Sequence, residues 1–331
     1  MSAVAVTAVA VVSPGGDSAT AALGGTGTVA GWFDHRTRLG ARGYRYLPPA
    51  AQYALAAARH AAGGTGLAEV PEVRRGLALA TNGGLGRLFD DMDRQVTSAE
   101  GAAGLAPVSA PYFAVNVLGN RVAADHGLKA FALTMASPRT AAMDAVEAGA
   151  RALRAGRCDV ALVAATEQHL PDAGSDSAPG EEGAVAFVLE AGDGRQETPV
   201  LRAGSLFVPP QFLADPGGTE RAAVAIRAAV RRVTGDAAPG LRVRLILDGS
   251  GLAELTASTV PAALVGPDVI QHRTESPLGC LTPALHLADA LTGEPGDTLL
   301  VTAVHDGHLA ITLACRPGAR RRSPGQESRP C

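Results

Sequence analysis

Short apolar runs bounded by glycine, proline, aspartate or asparagine recur along the chain, and they constrain its fold more than any other feature. The seven runs are VAVTAVAVVSPGG, GLALATNGG, FALTMASP, DVALVAATE, GAVAFVLEAGDG, VRLILDGSG and TLLVTAVHDG. They are rich in Val, Leu and Ala, a composition typical of strands covered on both faces. We therefore predict a sheet that is largely buried.

Helical patterns lie between several of these strands. The segment PPAAQYALAAARHAA begins with prolines suited to a first turn and continues with strong helix formers. The segment TAAMDAVEAGARALRAG places Met143, Val146, Ala150 and Leu153 on one stripe and ends at Gly156. A third segment, GTERAAVAIRAAVRRVTG, repeats this design. The alternation predicts an α/β fold with a mostly parallel sheet.

The composition limits the classes of partner. With 331 residues and 47% apolar content, the chain can bury a large core as one domain or two joined halves. A net charge of -3 does not indicate the excess of positive charge that binds nucleic acid or an anionic membrane, so we expect neither as a partner. No run of about 20 apolar residues predicts a membrane span. Four cysteines without metal-ligand spacing are typical of a reduced cytoplasm.

Two halves are predicted on either side of the polar segment AGDGRQETPV. The first covers residues 1–190 and the second residues 191–316. The tail, residues 317–331, is basic and rich in Pro and Gly, so we expect it to be disordered. The turn-rich segment PDAGSDSAPGEEG, residues 171–183, is predicted to be an exposed loop.

The stretch LTMASPRTAAMDAV predicts a strand, a turn and a helix N-terminus, which is a favourable place for a nucleophile. Helix-end amides there can stabilise a thiolate or an oxyanion. The apex, residues 137–140, nevertheless carries Pro138 and Arg139. Arginine stays protonated and cannot attack a substrate. Ser137 is the neighbouring hydroxyl, but a serine nucleophile needs a nearby base.

Several segments together resemble the β-ketoacyl synthase branch of the thiolase fold. They are VTAVAVVSPGG, LGARGYRYLPPAAQYALAAARHA, PYFAVNVLGNRVAADHGLKAFALT, GRCDVALVAATE, GEEGAVAFVLEAG and ESPLGCLTPALHLADAL, in family order across residues 3–315. The resemblance implies two pseudo-repeated α/β halves that form a layered α-β-α-β-α core. It also implies shortened loops, because the segment that connects ATEQ to GEEGA is short in this chain.

Members of that family use one cysteine and two histidines for condensation. The matching positions in this chain are Arg139 for the cysteine, Asp248 for the first histidine and Cys280 for the second. Glu275 occupies the place of the lysine that precedes the second histidine. All four replacements disfavour condensation, so the resemblance implies a catalytically silent protein without a cofactor or a metal.

A sub-branch with this character is the chain-length factor, the ketosynthase β-subunit of bacterial type II polyketide synthases. Such a subunit pairs with an active ketosynthase, closes its acyl tunnel and meets acyl carrier protein through the complex. The resemblance places tunnel-end or interface residues at Tyr112, Phe113, Asn116, Val117 and Leu118. Its compact form fits the branch that makes reduced, polyene-like chains.

Two alternatives stay open from the residues. One is a diverged acyltransferase or thioesterase-like enzyme that uses Ser137 or Cys280, and the other is a homodimeric regulatory pseudoenzyme. Arg139 itself has three candidate roles, which are to fill the old pocket, to pair with Asp248 or Glu275, or to reach a partner subunit.

The motif HDGH is predicted to be a surface turn, because two histidines and a carboxylate lack a third placed ligand. The motif NGGLG is predicted to be a tight turn, because it lacks the lysine of a phosphate-binding loop.

Overall fold

The computed structural model describes residues 3–25, 31–168, 181–192, 198–235, 240–273 and 279–317. The strands formed by these residues are β1 Val4–Val12, β2 Arg75–Thr81, β3 Phe131–Ala136, β4 Val160–Glu167, β5 Gly183–Glu190, β6 Val200–Phe207, β7 Arg242–Leu247, β8 Asp268–Arg273, β9 Gly296–Ala303 and β10 His308–Arg316. The α-helices are α1 Ala19–Gly24, α2 His35–Arg38, α3 Pro49–Gly63, α4 Gly86–Val96, α5 Asn116–His126, α6 Ala141–Arg154, α7 Pro216–Thr234, α8 Gly251–Ala262 and α9 Leu281–Thr292. None of the described helices is both long and apolar enough to span a membrane.

All ten strands join in one sheet in the order β3-β2-β4-β5-β1-β6-β10-β9-β7-β8. The first five strands of the chain have the order β3-β2-β4-β5-β1, and the last five repeat it as β8-β7-β9-β10-β6. The directions repeat as well, since β2 is parallel to β3 and β4 while β7 is parallel to β8 and β9. The two predicted pseudo-repeated halves are thus confirmed by topology. Where the boundary between 1–190 and 191–316 falls stays a prediction.

The two sets of strands meet through a short antiparallel contact. Val4 pairs with Leu201 and Ala5 with Val200, and this joins β1 to β6. In each set the inner two strand pairs are antiparallel, as in the pairs of β5 with β1 and β4. The prediction of a mostly parallel sheet was therefore wrong, because one strand of each set, β5 or β10, runs against the other four and the two sets join by an antiparallel pair.

Helices cover the strands in layers. Helix α3 packs on β1, β4 and β5 on the outer face of the first set, while α7 packs on β6 and β10 on the outer face of the second. Helices α6 and α9 touch each other and contact strands of both sets, so they form the central layer. The predicted α-β-α-β-α layering is confirmed.

The central helix α6 follows its predicted pattern. Met143, Val146, Ala150 and Leu153 are all buried in the core between the two sets of strands. The helix ends as expected, because Gly156 follows the C-cap with a φ of 66°. The seven apolar runs all form strands, whereas β6, β8 and β10 were not predicted.

Strand β3 forms one edge of the sheet, and its neighbour in the described structure is β2 alone. Helix α5 packs closely on it, because Gly119 faces Thr134 and a Cβ there would approach the threonine hydroxyl to 2.7 Å. The sequence of β3, FALTMA, carries no charge, and Leu133 at its centre is 46% exposed. The strand therefore presents an apolar, unprotected edge.

Candidate functional site

The turn between β3 and α6 keeps the backbone of a nucleophile elbow. Arg139 has a φ of 56°, which makes it the one non-glycine residue with a positive φ in the described ranges. Such a left-handed conformation is uncommon outside glycine, and it is concentrated at functional sites. The strained turn that would present a nucleophile is thus present, with arginine at its apex.

The side chain of Arg139 is directed into the protein and is only 3% exposed. Its Nη1 donates a hydrogen bond of 3.3 Å to the carbonyl oxygen of Leu247, the last residue of β7. The guanidinium therefore connects the elbow of the first set of strands to the end of a strand in the second set.

Asp248 follows Leu247 directly and is held by several donors. Its Oδ1 accepts from the backbone N–H of Ser250 at 3.0 Å, and its Oδ2 accepts from that of His305 at 2.8 Å. Burial alone would raise the pKa of Asp248, but these hydrogen bonds and the charge of Arg139 lower it below its ordinary value. Asp248 is therefore an ionised acceptor influenced by the charge of Arg139, and a direct pairing of the two stays a prediction.

The alternative nucleophile Ser137 lies in the same turn. Its Oγ shares a hydrogen bond of 3.1 Å with the hydroxyl of Thr140. A neutral hydroxyl is not a base that could take the serine proton. The contact fixes the turn and gives no activation.

Cys280 lies at the N-cap of α9 and is fully buried. Burial, together with the neighbouring carboxylates of Glu167 and Glu181, raises the pKa of this thiol well above 9.0. A thiol in these surroundings stays protonated at neutral pH, whereas the thiolate is the reactive form. Glu275, the fourth replaced position, lies outside the described residues.

Glu167 at the end of β4 is the polar centre of this region. Its Oε1 accepts from the backbone N–H groups of Asn82 and Cys280 at 2.7 and 2.9 Å, and its Oε2 accepts from that of Gly83 at 2.7 Å. Burial raises the pKa of Glu167, and the hydrogen bonds oppose that rise. The NGGLG turn therefore cradles an internal carboxylate, which the sequence analysis did not predict.

Two further carboxylates come from the segment before β5. Glu181 accepts from the backbone N–H groups of Leu281 and Thr282 at 2.7 and 3.0 Å, and so caps helix α9. Glu182 accepts a hydrogen bond of 2.7 Å from the hydroxyl of Tyr53 in α3. Burial and the nearby Glu167 raise the pKa of Glu181 to about 7.

These contacts correct one prediction. Residues 171–183 were expected to form an exposed loop, but Glu181 and Glu182 at its end bond to two helices. Residues 171–180 lie outside the described part, as do 318–331 of the predicted tail.

We call Glu167, Glu181, Glu182 and Cys280 the carboxylate cluster. An acidic residue closing an otherwise apolar strand was the sequence signal for Glu167.

The predicted tunnel or interface residues divide into two groups. Leu118 is buried in the core beneath α3, and Val117 and Tyr112 are half-buried. Phe113 is 66% exposed and Asn116 is exposed, while the ring of Phe113 lies 6.2 Å from that of Phe89. The residues thus run from the interior to the surface next to α5.

The HDGH motif lies in the turn between β9 and β10. His305 is exposed, and its Nδ1 lies 3.6 Å from Oδ2 of Asp248. Within the described ranges, no group of three His, Cys, Asp or Glu side chains is arranged to hold a metal ion.

Comparisons with known proteins agree with this architecture. Residues 19–177 match the family model for the β-ketoacyl synthase N-terminal domain. No curated protein sequence matches the chain. The resemblance to β-ketoacyl synthases that the sequence predicts is thus confirmed over residues 19–177, and the chain has the predicted thiolase-like fold.

Solved structures extend the match over nearly the whole chain. The ishigamide ketosynthase/chain length factor aligns with a TM-score of 0.70 and 20% identity, covering 96% of this chain and 100% of that one. A type II polyketide synthase ketosynthase in complex with its acyl-carrier protein, AntDE:AntF, aligns at 0.67 and 18%, with the same coverage. The oxazolomycin ketosynthase domain of Streptomyces albus JA3453 aligns at 0.58 and 16%, covering 99% of each chain.

Proposed function

We propose that this chain is a catalytically silent chain-length factor that pairs with an active ketosynthase in the cytoplasm and shapes its acyl tunnel. The observation that carries the proposal is the occupied elbow. Arg139 holds the strained apex where a nucleophile would stand, and its guanidinium is bonded to the carbonyl of Leu247. A subunit that keeps this fold but has no usable nucleophile would have a structural role, which is to pair with its partner.

The groups around the elbow favour a catalytically silent protein over a diverged acyltransferase. Ser137 bonds to a threonine hydroxyl, and the pKa of Cys280 is raised well above 9.0. Neither group is activated as a covalent catalyst requires. The alternative enzyme that uses Ser137 or Cys280 is thereby disfavoured.

The apolar edge of β3 supports the pairing. An edge strand without charge, with Leu133 exposed at its centre, is suited to continue into the sheet of a second subunit. Phe113 and Val115 extend the exposed apolar surface on the segment that leads into α5. Acyl carrier protein would then be met through the paired ketosynthase, and a regulatory homodimer would use the same edge.

Pairing is tested by producing the chain alone and together with a ketosynthase whose Cys-His-His set is intact. We expect poor solubility alone and recovery as a heterodimer, measured by size-exclusion chromatography with mass determination. A stable monomer that does not bind the ketosynthase would contradict the proposal, and a stable homodimer would favour the regulatory alternative.

Chain-length control is tested in the reconstituted pair. Tyr112→Ala and Phe113→Ala remove bulk at the predicted tunnel end, so we expect products longer by one or more extension units, measured by mass spectrometry. Leu118→Ala is the third variant, and its buried position adds about 3 kcal/mol of destabilisation. The matched control is Phe212→Ala on the second half, which leaves product length unchanged. Unaltered products in all three variants would contradict the tunnel role.

A further inference from the structure

The first turn of α9 is held by two carboxylates from different parts of the chain. Glu167, at the end of β4, accepts the backbone N–H of Cys280 at 2.9 Å. Glu181 accepts the backbone N–H groups of Leu281 and Thr282 at 2.7 and 3.0 Å. Three consecutive N–H groups of one helix N-terminus are therefore shared by two acidic side chains. Two carboxylates held this close repel each other when both are charged.

The two carboxylates differ in how firmly they are held. Glu167 is 2% exposed and also accepts the N–H groups of Asn82 and Gly83, at 2.7 Å each. Glu181 is half-buried, and its hydrogen bonds within the described residues go to α9. Glu181 is therefore the side chain that can leave when both acids are charged.

Glu181 lies against the turn that carries Cys280. A Cβ atom at Gly279 would collide with Oε2 of Glu181, so this carboxylate touches the backbone directly before the cysteine. Cys280 itself is fully buried, and the charges of Glu167 and Glu181 both act on its thiol. Movement of Glu181 away from the turn would open a path from solvent to this thiol.

The neighbouring acid ties the same segment to a second helix. Glu182 accepts a hydrogen bond of 2.7 Å from the hydroxyl of Tyr53 in α3. Residues 181–182 thus connect α3 to α9. The titratable groups around Glu181 are Glu167 from β4, Cys280 from α9 and Glu182 with Tyr53 of α3.

We propose that Glu181 and Glu182 form a proton-dependent clasp, which links α9 to α3 over Cys280 while Glu181 is neutral and opens when Glu181 ionises beside Glu167. Opening hydrates Glu181, so its proton is released to solvent. Because the pKa of Glu181 is about 7 in the closed form and 4.5 is its ordinary value, the open population rises with pH between these values. The clasp does not depend on pairing with a ketosynthase.

The test measures alkylation of Cys280 by iodoacetamide in the full chain as purified, alone or paired, between about pH 5 and 7. Mass spectrometry of peptides that contain Cys280 gives the rate. The reactive form is the thiolate, so the rate of an uncovered thiol rises about 10-fold per pH unit. Opening that releases one proton adds a further factor of about 10 per pH unit. Glu181→Gln has no such proton, so we expect its rate to rise less steeply by that second factor.

Cys158 is the control within the same molecule, because it is buried between α6 and β4, away from the clasp. We expect its alkylation to have the same pH dependence in the wild type and in Glu181→Gln. Labelling through global unfolding would instead give Cys158 the additional proton dependence. Should Glu181→Gln fail to fold, the pH dependences of Cys280 and Cys158 in the wild type still decide.

Tyr53→Phe tests the other end of the clasp. The variant removes the hydrogen bond to Glu182 and leaves Glu181 unchanged. We expect Cys280 to be alkylated about 10-fold faster at every pH, with the wild-type pH dependence and an unchanged rate at Cys158.

Equal pH dependences in the wild type and Glu181→Gln would overturn the proposal. So would equal pH dependences at Cys280 and Cys158 in the wild type, an unchanged rate in Tyr53→Phe, or no alkylation of Cys280 across the range. Because none of these residues is a predicted tunnel residue, these outcomes leave the proposed chain-length role unaffected.

Discussion

Two parallel strands of the sheet, β4 and β3, lie in opposite surroundings on either side of β2. Strand β4 is buried along its whole length, and its last residue, Glu167, receives backbone hydrogen bonds from two separate segments. Strand β3 lies two places away at the sheet edge, and its central Leu133 is exposed with no charged residue on the strand. The end of β4 is buried and its carboxylate accepts backbone hydrogen bonds, whereas the edge of β3 is apolar and open.

This contrast distinguishes the hydrogen-bonding groups that the chain engages internally from those that it leaves open to a second strand. Donors that would serve a substrate are engaged by the protein's own groups, since Glu167 takes the N–H groups of the NGGLG turn and of Cys280. Donors and acceptors on the outer edge of β3 have no partner strand among the described residues. The contrast agrees with the proposal of a silent subunit that pairs through the open edge of β3.

The largest effect is expected from a charge on the open edge. Leu133→Asp places a carboxylate at the centre of β3, where pairing with a second sheet would bury it without a partner. We expect association with the ketosynthase to weaken by at least about 100-fold, measured from the dissociation of the co-purified pair on dilution.

A matched control separates the edge from exposed apolar residues in general. Val265→Asp changes a residue that is 79% exposed in the turn before β8, on the other half of the sheet. We expect that variant to bind the ketosynthase normally. Equal loss in both variants, or none in Leu133→Asp, would show that β3 is not the pairing edge.

The closed end is tested next by Glu167→Gln. Both oxygens of Glu167 accept backbone N–H groups, so either orientation of the new amide turns an NH₂ group toward another donor. We expect a loss of about 3 kcal/mol in the free energy of unfolding, measured by urea denaturation.

Glu220→Gln provides the comparison for that loss. Glu220 pairs with Arg227 on the surface of α7, so its replacement should change stability by less than about 0.5 kcal/mol. If the two variants were equally stable, Glu167 would not be the centre of a closed polar network.

The sequence predicted the central architecture because the relevant signals are local. Seven strands carry continuous apolar runs, and α6 carries its stripe of Met143, Val146, Ala150 and Leu153. Strand β8 was missed because DVIQHR is largely polar, as its edge position permits. Strand β6 was missed because Arg202, Gly204 and Ser205 interrupt its apolar residues.

The carboxylate cluster could not be predicted because its contacts join distant parts of the chain. Glu167 bonds to Gly83 and Cys280, and Glu182 bonds to Tyr53, all far apart in sequence. A polar stretch such as PDAGSDSAPGEEG indicates a loop, but nothing local indicates that its last two acids bond to α3 and α9. The replaced residue at the elbow was predicted, whereas its hydrogen bond to Leu247 required the fold.

The smallest effect concerns pH and Glu181. The pKa of Glu181 is raised from 4.5 to about 7, first by burial and then by the charge of Glu167. Between those two values the folded protein holds a proton that the unfolded chain has released. Glu181 therefore contributes a fall in stability as pH rises from about 4.5 to 7, and no further change above that.

Glu181→Gln should remove this dependence, because the amide cannot ionise and still offers one acceptor oxygen to the N-terminus of α9. We expect the wild type to lose about 2 kcal/mol of unfolding free energy across that pH range relative to the variant, measured by urea denaturation at a series of pH values. Glu220→Gln should keep the wild-type slope. An identical slope in Glu181→Gln would mean that Glu181 ionises at its ordinary pH, and that the end of β4 tolerates two neighbouring charges without cost.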